Sequence, residues 1–331
     1  MPPRVRYGII GFGEFAGRAI GPAIMSSANS SLVALQKRSL ASAREIAART
    51  GVPHAFDSVG ALVNHPDVDA VFICSANSAH HPETLAAAAA GKHVIVEKPM
   101  SLTVAEAKEM IAACDRHGVR LMVGHMVRLS PAVERVRELV GSGAYGPVVF
   151  ARADFSYNAR LSGRAWLFDT RVAGGGPLYD IGIHCLDTLR YVLDDEVASV
   201  KAHLDPRPTD ATTETSALLS LQFSRGTPAS SFCTYASPVR IRMLEVMCRD
   251  AIVSLPDFTA PAETLTVTVL KGSGGLPGDV MTERVDIPNL YSREVTLFSD
   301  AILNGTGHPL DGANGLQNMR VLEDALRQCS T

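Results

Sequence analysis

The chain has no CxxC pair, no apolar run near the ~20 residues that cross a bilayer, and no excess of either charge. The six cysteines, at 74, 114, 185, 233, 248 and 329, are too dispersed for a zinc ribbon or a redox dithiol. They predict reduced, mostly buried thiols of a cytoplasmic protein. A formal charge of −3, with Lys and Arg scattered, gives no electrostatic basis for binding nucleic acid or an anionic membrane. Met1 to Arg6 runs at once into strand-like residues, leaving no signal-peptide apolar region. What is present is ordinary globular material. Hydrophobic residues make up 46%, which argues against disorder, and 331 residues predict two domains.

Short apolar strands alternate with amphipathic helices from residue 5 to 124. Strands are expected over Val5 to Ile10, Leu32 to Gln36, His54 to Phe56, Ala70 to Cys74, His93 to Val96 and Leu121 to Val123. Helices are expected over 14–28, 40–50, 59–64, 80–90 and 104–117, three of them stopped by Gly51, Gly91 and Gly118. Such strand–helix–strand units build a parallel sheet covered on both faces. A helix over Ser130 to Ser142 follows, and strands then dominate, with clear alternation in Ser216 to Phe223. That texture predicts one mostly antiparallel sheet. The Gly-rich stretch Lys271 to Gly278 reads as an exposed loop, and two helices close the chain. The expected division is 1–124 for nucleotide binding and 125–331 for substrate binding and oligomerisation.

Gly11-Phe12-Gly13-Glu14-Phe15-Ala16 follows the first strand and opens a helix. The first glycine allows the tight turn, the second lets a pyrophosphate reach the backbone, and Ala16 allows close helix packing. The anion then sits at the helix N-terminus. The second strand ends in Gln36-Lys37-Arg38-Ser39, with no acid to bind ribose hydroxyls. Lys37, Arg38 and Ser39 could instead meet a 2′-phosphate, which predicts NADP over NAD.

Two further segments carry chemistry. Glu97-Lys98-Pro99 ends a parallel strand, the end off which ligands bind. Gly174-Gly175-Gly176 precedes Asp180 and His184, which a helix over Tyr179 to Leu193 would place one turn apart. An imidazole suits proton exchange near neutrality, and Lys98 can stabilise alkoxide character.

Gly11 to Ala16, Ser75-Ala76-Asn77-Ser78-Ala79-His80, Ala90 to Pro99 and Gly174 to His184 together resemble the glucose–fructose oxidoreductase / inositol dehydrogenase (Gfo/Idh/MocA) family. The resemblance spans nearly the whole chain. It implies an α/β protein, with an N-terminal Rossmann domain of doubly wound parallel sheet. A C-terminal α/β domain with an open-faced, mostly antiparallel sheet would follow. It implies hydride transfer between a nicotinamide and a carbonyl or hydroxyl of a sugar, ketosugar or cyclitol. Lys98 would contact nicotinamide ribose and substrate, His184 would be the general acid/base, and Asp180 would orient substrate or a relay partner. A cis peptide before Pro99 is also implied. The alternatives are a redox-assisted glycoside hydrolase with tightly bound cofactor and a non-catalytic NADP-binding regulator.

Expected cofactor contacts are Gly11, Phe12, Gly13, Glu14, Phe15, Lys37, Arg38, Ser39, Ser75, Asn77, His80, Glu97, Lys98 and Arg128. His80 could bond a phosphate or ribose, and Arg128 either contacts a ligand or forms a structural ion pair. Trp166, the only tryptophan, could stack on a sugar or simply pack, and Arg160, Arg164 and Arg171 around it could read an anionic substrate. No metal is expected: Asp180, His184, Cys185 and Asp187 do not share one face. An open sheet face predicts a homodimer or homotetramer.

Overall fold

The computed structural model describes residues 3–328, so Met1, Pro2 and Cys329 lie outside the described residues. It divides into two compact units, 1–126 with 291–319, and 127–290 with 320–331.

The first unit is built on β1 (Val5–Ile10), β2 (Ser30–Gln36), β3 (His54–Phe56), β4 (Ala70–Ile73), β5 (His93–Glu97) and β6 (Leu121–Gly124). All neighbours pair parallel in the order β3-β2-β1-β4-β5-β6. The order reverses beside β1, the switch point at which open sheets of this kind bind ligands. The connecting helices are α1 (Gly21–Ser26), α2 (Leu40–Thr50), α3 (Val59–Val63), α4 (Asn77–Ala89) and α5 (Val104–Arg116). Side chains of Ser39, Ser58 and Thr103 cap the starts of α2, α3 and α5, and Gly51, Gly91 and Gly118 at positive φ follow α2, α4 and α5. Thr103 Oγ1 accepts from Glu106 N at 3.2 Å, while Glu106 Oε2 accepts from Leu102 N at 2.8 Å, a reciprocal cap on α5. Gly51 closes α2 at φ +73°.

The second unit opens with α6 (Pro131–Gly141) and β7 (Val148–Asn158), then α7 (Thr170–Ala173) and α8 (Ile183–Leu193). The remaining strands are β8 (Val197–Asp205), β9 (Ser216–Phe223), β10 (Pro228–Thr234), β11 (Ala236–Cys248), β12 (Ala251–Pro256), β13 (Thr264–Ser273) and β14 (Leu276–Asp286). They form one sheet in the order β14-β13-β12-β11-β7-β10-β9-β8, antiparallel except for the central β7–β10 pair. Alternate residues Ala151, Ala153, Ala229, Ser231, Leu244 and Val246 are buried on one face. The opposite face exposes Val149, Leu218, Phe232, Ile241 and Met247.

Two expectations change. Lys271 to Gly278 is not a loop. β13 and β14 run through it and turn at Gly274-Gly275, both at positive φ, as a two-residue hairpin demands. The closing segments are α9 (Leu290–Asn304) and α10 (Gly312–Arg327). A single boundary at 124/125 would leave them with the second domain, yet Tyr291–Met319 completes the first unit. Buried Tyr7 Oη meets Ser299 Oγ at 2.8 Å, Val123 N donates to Leu310 O at 2.9 Å, and Phe298 is fully buried.

Candidate functional site

In the first unit the glycine turn is shaped by close approach. Gly11 sits at φ +73°, and a Cβ there would stand 2.7 Å from Ser75 N, so the turns that follow β1 and β4 approach this closely only because it has none. A Cβ on Gly13 would meet nothing nearer than Gly11 O at 3.9 Å, and Gly13 and Glu14 are exposed. The start of the helix is therefore open to an anion, and a dinucleotide pyrophosphate fits it. Phe12 is buried, and Phe15 packs edge-on to Tyr291 at 5.6 Å. The helix widens to a π turn over Ala16–Ile20 instead of running as regular α-helix from residue 14.

Lys37 Nζ donates to Phe12 O at 2.9 Å, so this lysine braces the glycine turn. Arg38 and Ser39 are exposed, and Ser39 Oγ also caps α2 by accepting from Ser42 N at 3.3 Å. Gln36, which the sequence did not flag, is buried. Its Oε1 accepts from Gly11 N at 3.0 Å and its Nε2 donates to Asp57 O at 3.3 Å, tying β2 to the turn.

Ser75 donates to Glu83 Oε2 at 2.5 Å, and burial pushes Glu83 up to about 7. Asn77 is the buried first residue of α4. His80 is 1% exposed, with Nδ1 2.8 Å from Pro99 O and Nε2 3.2 Å from Ser75 O. Burial pulls its pKa down to about 4 against those two carbonyls, so the ring is neutral. The phosphate or ribose contact expected of His80 gives way to a structural one, because both ring nitrogens face backbone. That ring pins the Ser75 loop to the Lys98–Pro99 peptide, which is cis as expected. Lys98 is half-buried. Its neighbour Glu97 has Oε1 sealed from water without a partner, and burial lifts its pKa to about 7 against the pull of Lys98.

In the second unit the last glycine of the run is likewise set by close approach. A Cβ on Gly176 would lie 2.0 Å from Glu214 O. The Gly176 and Leu178 amides both donate to Glu214 Oε1, at 2.9 and 3.1 Å. Glu214, fully buried, thus caps the helix that carries the candidate catalytic pair. It was illegible in sequence because it lies 38 residues from Gly176. The helix begins as a π turn over Leu178–Gly182 and becomes α-helical at Ile183.

Asp180 and His184 are each 8% exposed. Tyr157 Oη donates to Asp180 Oδ2 at 2.8 Å and accepts from Arg164 Nη2 at 2.6 Å. Arg164 Nη2 also stands 3.5 Å from Asp180 Oδ2. Burial pulls the Arg164 pKa down, but Asp180 and the flanking phenols outweigh it and raise it. Burial raises Tyr157, and the nearby Asp180 charge adds to the rise. The phenol therefore stays protonated and locks Asp180. His184 lies beside Phe155, ring centroids 6.5 Å apart.

The remaining candidates scatter. Arg128 Nε pairs with Asp187 Oδ2 at 2.8 Å and its guanidinium lies over Tyr191, the structural alternative for this residue. Asp187 also meets Arg190 at 3.6 Å and Cys185 is buried, so neither joins Asp180 and His184 as a ligand set. Trp166 is half-buried in a short 3₁₀ turn, Ala165–Phe168. Exposed Arg171 is spent on half-buried Asp169, and Arg160 is exposed. Of that arginine group only Arg164 reaches Asp180.

A parallel sheet with an open helix start, followed by a mostly antiparallel sheet and a helix bearing a buried His and a locked carboxylate, defines a two-domain dinucleotide oxidoreductase. The chain belongs to the Gfo/Idh/MocA oxidoreductase family. Residues 5–125 match its model "Oxidoreductase family, NAD-binding Rossmann fold", and residues 133–254 match "GFO/IDH/MocA C-terminal domain". It is 30% identical to 1,5-anhydro-D-fructose reductase of Ensifer adhaerens over 92% of this chain and 90% of that one. It is 28% identical to D-xylose 1-dehydrogenase (NADP(+)) 2 of Haloferax volcanii, over 98% and 97%. The crystal structure of aldose-aldose oxidoreductase from Caulobacter crescentus, complexed with glycerol, superposes with a TM-score of 0.86 at 29% identity. The match covers 99% of this chain and 98% of that one. Among the described residues no helix is long and apolar enough to cross a membrane.

Proposed function

We propose that this protein transfers hydride between NADP(H) and a carbonyl or hydroxyl group of a sugar, ketosugar or cyclitol. The observation that carries the reading is the Arg164–Tyr157–Asp180 chain beside His184, a proton-handling group held in a buried, polar setting. The relatives' names, a ketosugar reductase and an NADP-dependent aldose dehydrogenase, support the substrate class.

The nicotinamide ring, when bound, supplies or accepts the hydride. This chain's residues do the rest. Gly11, Gly13 and the exposed helix start hold the pyrophosphate, and the exposed Arg38 and Ser39 meet a 2′-phosphate, Ser39 by donating the hydroxyl proton that its cap on α2 does not use. Lys98 stabilises negative charge developing on the reacting oxygen. His184 gives that oxygen its proton in reduction and removes it in oxidation. Asp180 keeps its orientation through Tyr157 and bonds a neighbouring substrate hydroxyl.

The test follows absorbance at the nicotinamide band, with NADPH against ketosugars and inososes and NADP⁺ against aldoses and cyclitols. Lys98→Ala and His184→Ala should each lose roughly 10²–10⁴-fold in turnover. Undiminished turnover in either variant, or none in the parent with any of these compounds, would refute the assignment.

A further inference from the structure

We infer that the substrate carries a carboxylate, gripped by Arg242 with help from Arg240; this deepens the proposed function and rests on it. Arg242 lies on β11 directly opposite Phe155 of β7, on the face that also carries His184's neighbour ring. Its guanidinium sits 5.4 Å over the Phe155 ring, and Phe155 in turn flanks His184. Arg242 is only 9% exposed, yet it is poorly satisfied. Its nearest carboxylate, Asp257 Oδ1, stands 3.8 Å from Nη1, beyond hydrogen-bond distance. Its Nε is buried with no acceptor at all.

A buried guanidinium without full pairing is costly, and such groups are kept in place by something that pairs them. Two residues along the strand, Arg240 is exposed, with its guanidinium 5.4 Å over the Tyr157 ring. Burial lowers the Arg242 pKa, and the neighbouring charge of Arg240 adds to this, so the two cations repel and an anion between them relieves both. Arg164, whose guanidinium also lies by the Tyr157 ring, 6.0 Å from its centroid, is already matched by Asp180. The planar Nε edge of a guanidinium accepts a carboxylate through two parallel bonds. A sugar acid therefore fits this cluster, its carboxylate at Arg242 and Arg240.

The experiment measures equilibrium binding of glucose, glucuronate and glucose 6-phosphate to the NADP⁺-loaded protein by calorimetry, with turnover of each recorded in parallel. Glucuronate should bind roughly ten- to a hundredfold more tightly than glucose, the range of one or two charge-assisted bonds. Arg242→Gln should erase that preference, Arg240→Gln should reduce it, Arg242→Lys should keep part of it, and Arg171→Gln should leave it unchanged. Should Arg242→Gln fail to fold, Arg240→Gln carries the test, since its side chain is exposed. Equal binding of glucose and glucuronate overturns the inference, as does a preference confined to the phosphate ester. Carboxylate preference without hydride transfer upholds the anion site and refutes the proposed function; transfer with no preference does the reverse.

Discussion

Replacing Gly176 with alanine tests whether the helix bearing Asp180 and His184 is fixed from outside itself. The new Cβ would stand 2.0 Å from Glu214 O, whereas real Cβ atoms essentially never come within 3.0 Å of a neighbour, so the backbones must part by at least about 1 Å (3.0 less 2.0). That movement strains two bonds from the Gly176 and Leu178 amides to the buried Glu214 carboxyl. Bonds to a group of this kind contribute roughly 1.5–3 kcal/mol each, so losing both would cost about 3–6 kcal/mol. For a domain of this size about 1 kcal/mol moves the melting temperature by 2–4 °C, giving a fall of roughly 6–24 °C. Gly60→Ala is the control, since a Cβ there meets nothing within 4 Å and no positive φ is required. Below its melting point the Gly176→Ala protein should still lose roughly a hundredfold in kcat/KM, the effect of a 1 Å misplacement. Calorimetry and the absorbance assay check both effects. A melting temperature within about 2 °C of the parent, with full turnover, would refute the close approach as the device that seats the helix.

Arg38→Ala should raise KM for NADP⁺ by roughly tenfold or more and leave KM for NAD⁺ unchanged; equal effects on both would remove Arg38 from the 2′-phosphate. Tyr157→Phe should lower kcat by roughly tenfold and alter the pH profile, because Asp180 loses its 2.8 Å donor; an unchanged profile would show that Tyr157 does not hold the carboxylate. His80 takes a proton less readily when folded, near pH 4 against an ordinary 6.5. Its contribution is therefore complete above pH 6.5 and lost as pH falls toward 4, at about 1.4 kcal/mol per unit. Glu83 and Glu97, lifted to about 7, act oppositely and cost stability as pH rises from 4.5 toward 7. Denaturant titrations of His80→Gln and parent isolate the histidine, and parallel acid limbs would contradict its buried, neutral state.

Local signals carried most of the fold. Period, glycine stops and caps are properties of neighbours in sequence, and they located the six parallel strands within a residue or two. The stretch at Lys271 misled because its glycines serve a hairpin, and glycine alone does not separate a hairpin turn from a loop. In the site, motif spacing singled out Gly11, Gly13, Lys98, Asp180 and His184. It could not distinguish Lys37, spent on Phe12 O, from Arg38, exposed beside it. Nor could it show that His80 faces two backbone carbonyls. Glu214, Tyr157 and Arg242 reach the site across strands distant in sequence, and such pairings leave no local pattern.

The first unit is discontinuous, and this bears on how the molecule is made. Residues 1–126 leave the ribosome first, but Tyr7 and Val123 have no Ser299 or Leu310 to bond until the whole of 127–290 has been synthesised. The nucleotide-binding sheet therefore waits, part-finished, while the later unit is built, and that interval is when a chaperone would engage it. A chain stopped at residue 290 would have the family's glycine turn and its Lys98 in full, and still lack the helix that buries the floor of its first domain.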